Sequence, residues 1–161
     1  MKRKFYIIPG WRETCRRKQY QNLANKIRKQ GYEVVFKNID WNTNLSKQIF
    51  EIEPNSVLFG FSMGALLARL IAQEQKCSLV IFASMTPLRH FKGGKQEKIL
   101  REVIGKKMLV DIKNNLDKKL KSPTVLIYGD KEGEQGDFLI KNTGHKITKN
   151  YIDTVVKLIK K

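Results

Sequence analysis

Five short apolar runs, residues 4–8, 33–36, 56–59, 78–82 and 124–128, are rich in β-branched and aromatic side chains, and stretches of helical periodicity separate them. That alternation constrains the fold more than any other feature. Short, continuously apolar runs read as strands buried on both faces. Strands that alternate with helices imply a parallel sheet covered on both sides. The sequence therefore predicts an α/β fold, a three-layer α/β/α sandwich whose mainly parallel sheet has about five to six strands.

The helical periods are specific. Tyr20, Leu23, Ala24 and Ile27 share one face of a first helix, with Gly31 as its stop. Leu45, Ile49 and Ile52 predict a shorter helix that Pro54 ends. Leu66, Leu67, Leu70 and Ile71 belong to an almost wholly apolar helix packed on the sheet centre. Ile99, Val103 and Ile104, then Met108, Ile112 and Leu116, mark one or two further helices. Thr148 is placed to cap a last helix that buries Ile152, Val155, Val156 and Ile159. The length fits a single domain over residues 1–161. Residues 89–121 exceed what a simple crossover needs and leave room for a small helical flap over the sheet's carboxyl edge, where substrates bind in such folds.

Composition narrows the function classes. The 41% hydrophobic content excludes a disordered basic tail despite a net charge of +17. Cys15 and Cys77 lack any CxxC spacing, which points to a reducing compartment and a cytoplasmic protein. The apolar run after the basic start stops at Pro9-Gly10, so no export signal is expected. The longest apolar stretch, residues 57–72, contains Ser62 and Arg69 and is too short for a membrane span. Residues 1–31 carry a charge of +9 and residues 89–121 one of +7. Such segments suit an anionic partner. Lysines outnumber arginines 24 to 8, however, and no zinc finger or RNA-type aromatic box is present, which favours a lysine-rich solvated surface over a nucleic-acid interface.

Gly60-Phe61-Ser62-Met63-Gly64 stands where the third predicted strand ends and the apolar helix begins. A sharp strand-to-helix turn of this kind exposes a serine hydroxyl above the sheet, and glycines flank it because larger side chains would strike neighbouring backbone. With this motif the whole chain resembles the α/β-hydrolase family, as a small serine hydrolase or esterase with little or no cap. The resemblance implies Ser62 as nucleophile. It also implies an oxyanion hole made of two backbone N–H groups. One comes from Met63. The other comes from Trp11 in Ile7-Ile8-Pro9-Gly10-Trp11, where Pro9 stands in place of a common histidine.

A serine needs a base. His145, in Asn142-Thr143-Gly144-His145-Lys146-Ile147 before the last helix, resembles the family's Gly-His turn, whereas His90 lies in the basic segment and reads as a surface residue. The third member must be a carboxylate after the fifth strand. Asp130, Glu132, Glu134 and Asp137 are available. Glu132, three residues after Gly129, matches the family's acid turn, and Asp130 competes with it. Twelve residues separate Glu132 from His145, too few for the usual helix and parallel strand, so residues 138–141 are expected to loop across the top or to form only a short edge. No nucleotide-binding, dinucleotide-binding or zinc-protease motif is present, Gly93-Gly94-Lys95 reads as a flexible turn, and neither metal nor organic cofactor is implied.

These features predict a serine hydrolase that cleaves a small acyl ester or thioester through an acyl-enzyme. The charge admits an anionic substrate, or an acyl group carried on an acidic protein, with Arg12, Arg89 and Lys92 at the rim. The alternative is a non-catalytic hydrolase scaffold whose basic surface contacts nucleic acid or an acidic partner.

Overall fold

Each of the five apolar runs becomes a strand, and a sixth short strand joins them. The computed structural model describes residues 1–160. Along the chain these residues form β1 (Lys4–Ile8), α1 (Lys18–Arg28), β2 (Glu33–Phe36), β3 (Val57–Phe61), α2 (Met63–Glu74) and β4 (Leu79–Ala83). After these come α3 (Gly94–Ile104), α4 (Lys106–Asn115), β5 (Thr124–Gly129), β6 (Phe138–Ile140) and α5 (Lys149–Ile159). The strands lie in the order β2-β1-β3-β4-β5-β6, and every neighbouring pair is parallel. No helix among the described residues is long and apolar enough to cross a membrane.

Successive strand side chains point to opposite faces. Tyr6, Ile8, Leu58, Val80 and Phe82 accordingly build one core with α2 and α4, while Phe5, Ile7, Phe59, Ile81 and Ile127 build the other with α1 and α5. The buried face of α1 is Tyr20, Leu23, Ala24 and Ile27, as its periodicity predicts, and Thr148 Oγ1 caps α5 by accepting the Tyr151 N–H. The chain winds from β1 to β2 on one side and then to β3 on the other. The β1–β3 boundary is thus the point where strand order reverses, and in open α/β sheets a crevice opens there at the carboxyl ends.

One helical expectation is corrected. Leu45, Ile49 and Ile52 do not form a helix: only a 3-10 turn spans Leu45–Gln48, and the chain beyond it is irregular. Gln75 holds that stretch, its side-chain amide donating to the Phe50 carbonyl and accepting the Ile52 N–H, so the backbone is satisfied without helical bonds. The two helices that Ile99, Val103 and Ile104 and then Met108, Ile112 and Leu116 mark are present as α3 and α4, but on α3 Ile99 and Val103 are 45% and 49% exposed. Glu97 turns inward instead, taking the Lys113 ammonium at 2.8 Å and the Gly93 N–H at 2.6 Å, and this sets the rotation of α3 about its axis. Beyond Gly105, Met108, Leu109 and Ile112 of α4 are buried against the same core as α2.

The last crossover is the unusual one. β6 is the short edge that its connection length allows, and it is parallel to β5, reached by the eight residues between Gly129 and Phe138 without a helix. A three-residue strand requires the chain to retreat only about 10 Å, which a short irregular loop can span. Asp137 pins the return: its N–H donates to the Leu126 carbonyl and its carboxylate accepts the Leu126 N–H, each at 2.8 Å.

Candidate active site

The turn from β3 into α2 is built by backbone contact. Ser62 has φ 56° and ψ −122°, a conformation that side chains rarely adopt and that persists where its surroundings enforce it. Its N–H donates to the Ala83 carbonyl at 2.8 Å. A Cβ on Gly60 would lie 2.6 Å from Ala65 Cα, and one on Gly64 would lie 2.2 Å from the Pro9 carbonyl oxygen. The two glycines let the elbow close on itself and on the end of β1. Gly64→Ala is therefore expected to destabilise the protein by about 3 kcal/mol or more, because only backbone movement relieves the clash. A lowered urea midpoint at constant m-value is the measurement that checks it.

The segment after β1 abuts the same turn, since a Cβ on Gly10 would lie 3.3 Å from Ser62 Cβ. The Gly10 N–H donates to the Tyr20 hydroxyl at 2.9 Å, and Tyr20 in turn donates to Glu13. Trp11 packs edge-on against Trp41, with ring centroids 4.6 Å apart, so its side chain has a packing role. Met63 is the first residue of α2, where a backbone N–H has no carbonyl one turn earlier to serve.

His145 reaches Ser62 from the loop after β6. Its Nε2 lies 2.9 Å from Ser62 Oγ, and its Nδ1 lies 2.6 Å from Glu132 Oε1. The loop is held from several sides. Asp130 accepts the Asn142 and Thr143 N–H groups at 3.0 Å each, the Lys131 N–H donates to the Thr143 carbonyl, and Gln19 accepts the Ile147 N–H. The Phe61 ring flanks the imidazole at 5.1 Å. The structure thus joins Ser62, His145 and Glu132 and employs Asp130 elsewhere, as the anchor of the histidine loop.

Glu132 is held at both oxygens. Oε2 accepts the Gly129 N–H at 2.6 Å and the Ser84 hydroxyl at 2.7 Å, while Oε1 faces His145. Burial pushes its carboxyl upward, but the hydrogen bonds from His145, Ser84 and the Gly129 N–H outweigh that and hold it below the usual carboxylate range. The side chains of Glu132 and His145 are 8% and 54% exposed, so the carboxylate is shielded while the imidazole faces the open side of the site.

Ser84 was not legible as a site residue. It directly follows β4 with φ 46°, its N–H donates to the Ile127 carbonyl, and its oxygen lies 3.1 Å from the Tyr151 hydroxyl, which also donates to the Ile127 carbonyl. The only signal is a polar residue directly after an apolar strand.

A cavity of about 400 Å³ opens beside Ser62, with Met85, Pro87, Tyr128, His90 and Lys131 in its wall. His90 therefore belongs to the site rather than to the general surface. Burial, reinforced by the neighbouring Arg89 charge, pushes its imidazole below the ordinary value. Of the expected rim bases, Arg89 is committed to Glu134 through two bonds of 2.8 and 2.6 Å, Arg12 lies over the Trp11 ring at 5.1 Å, and Lys92 is exposed. No group of three or more His, Cys, Asp or Glu side chains is arranged to hold a metal ion among the described residues.

No protein-family profile and no curated protein matches this sequence. Solved structures do match its shape. The mouse alpha/beta hydrolase domain-containing protein 10 superposes with a TM-score of 0.72 at 12% identity, covering 98% of this chain and 88% of that one. A putative hydrolase from Agrobacterium vitis gives 0.71 at 14% identity, covering 98% and 87%. Est1E from Butyrivibrio proteoclasticus gives 0.64 at 12% identity, covering 99% and 86%. At such identities the likeness is one of architecture. With six parallel strands in this order, helices on both faces and a serine at the β3–α2 turn, the chain has the α/β-hydrolase fold in a minimal form.

Proposed function

We propose that this chain is a serine hydrolase that cleaves a small acyl ester or thioester through an acyl-enzyme intermediate, with residues 1–161 acting as one domain. The observation that carries the reading is the unbroken hydrogen-bond series from Ser62 Oγ through His145 to Glu132, assembled from three loops at one edge of the sheet. A serine hydroxyl is a weak nucleophile until a base removes its proton, and His145 Nε2 is at bonding distance to do so. Glu132 accepts the Nδ1–H, fixing the tautomer in which Nε2 is free, and stabilises the imidazolium that forms.

The steps follow. Ser62 Oγ bonds to the acyl carbon while its proton passes to His145, and the carbonyl electrons move to oxygen, where the Trp11 and Met63 N–H groups receive them. The carbonyl then re-forms and the bond to the leaving oxygen or sulfur breaks, the leaving group taking the proton from His145. Water repeats the sequence on the acyl-serine, giving up a proton to His145, releasing the acid and returning the proton to Ser62. The same parts can cleave an amide, so the preference for esters and thioesters belongs to the proposal. A scaffold serving only as a basic binding surface has no use for this set of bonds.

Mass spectrometry after treatment with a fluorophosphonate tests the reading without a known substrate. One adduct located on Ser62, absent from Ser62→Ala, is expected. No adduct, or an adduct elsewhere, overturns it.

A further inference from the structure

The charges around the cavity do not cancel in the way that their numbers suggest. Two carboxylates line it, and both are occupied: Glu132 by His145, Ser84 and the Gly129 N–H, and Glu134 by the paired bonds from Arg89. Lys131 lines it as well and has no acidic partner among the described residues. Its backbone is fixed, since its N–H donates to the Thr143 carbonyl at 3.0 Å in the loop that carries His145. Lys131 is thus an exposed cation on a pinned stem beside the candidate triad, with no carboxylate at ion-pair distance, its nearest acidic influence being the neighbouring Asp130 that is itself bonded to the histidine loop. Arg12 and Lys146, which follow Trp11 and His145 in sequence, are exposed and likewise without an ion pair.

We propose that this cavity takes a substrate bearing a negative charge, a carboxylate or a phosphate, near its scissile carbonyl, and that Lys131 is the residue that reads that charge. The proposal rests on the serine hydrolase reading and adds the substrate class to it. A small anion fits better than an acidic protein because the unmatched charge stands in the wall of a cavity of about 400 Å³. Half-buried His90 in the same wall offers a second polar contact to the anion.

The test compares matched esters on the full chain. On the acyl side, the para-nitrophenyl monoester of adipic acid is set against para-nitrophenyl hexanoate. On the leaving-group side, para-acetoxybenzoate is set against phenyl acetate. The expected result is a preference in kcat/KM of about fivefold or more for the anionic ester in one of these pairs, the size expected of a partly exposed ion pair. The preference should reside in KM and shrink in high salt. It should fall to about unity in Lys131→Met and persist in Lys131→Arg, a rescue that a merely structural role for the side chain would not produce. No preference in either pair, or one that survives Lys131→Met, overturns the proposal while leaving fluorophosphonate labelling of Ser62 intact. Failure of the underlying reading shows instead as no labelling of the native chain.

Discussion

His145→Ala is expected to lower turnover of an activated ester by about 10⁵- to 10⁶-fold and to slow fluorophosphonate labelling of Ser62 to near the rate of a free serine. The magnitude follows from the lack of a substitute. His145 is the one side chain hydrogen-bonded to Ser62 Oγ among the described residues. His90 lines the same cavity, but no bond joins it to Ser62, so it cannot take the proton in place of the missing imidazole. The fold should survive, because the lost side chain is 54% exposed and the loop keeps its anchors to Asp130 and Gln19. An unchanged circular dichroism spectrum and thermal midpoint, together with lost labelling, is the pattern to look for. Labelling at the native rate would mean that another group activates Ser62.

The sheet and the elbow were legible because they depend on local pattern. β1 and β2 coincide with their apolar runs, and β3 to β5 differ by a residue or two at their ends. Glycines that flank a serine between a strand and an apolar helix report a backbone constraint, and the close approaches at Gly60 and Gly64 are that constraint. Where the sequence misled, contacts distant along the chain decided the outcome. Periodicity at Leu45, Ile49 and Ile52 records that these side chains turn toward a core, but a backbone satisfied by Gln75 needs no helix to do so. A buried Glu97 cannot be read from an amphipathic pattern, because its partner Lys113 lies on the next helix. Ser84 joins the site only because β4 and β5 are neighbours, which fixes Ser84 beside Glu132, and strand order is not written in any single segment. The two candidate acids, Asp130 and Glu132, are two residues apart and chemically alike. Only the path of the loop back to β6 decides which one faces the imidazole.

That distinction yields the second large effect. Glu132→Gln is expected to reduce kcat by about 10⁴-fold with little loss of stability, and the reason lies in which atoms can accept. The Gly129 N–H points at Oε2 from 2.6 Å and can only donate, so the glutamine must direct its oxygen there. Its NH₂ is then left facing His145 Nδ1, at the place where the carboxylate accepted a proton. The imidazole must become the acceptor at Nδ1 and carry its hydrogen on Nε2, and in that tautomer it cannot take the proton of Ser62. Asp130→Asn has a different expected outcome. Both of its oxygens accept backbone N–H groups of the histidine loop, so the amide loses one of two bonds, at a cost of about 1 kcal/mol in stability. Its labelling rate should stay within about tenfold of the native chain, since the Glu132 contact to His145 is untouched. Measuring labelling rate and urea midpoint for both variants separates the two roles. A collapse of labelling in Asp130→Asn with little change in Glu132→Gln would exchange the assignments.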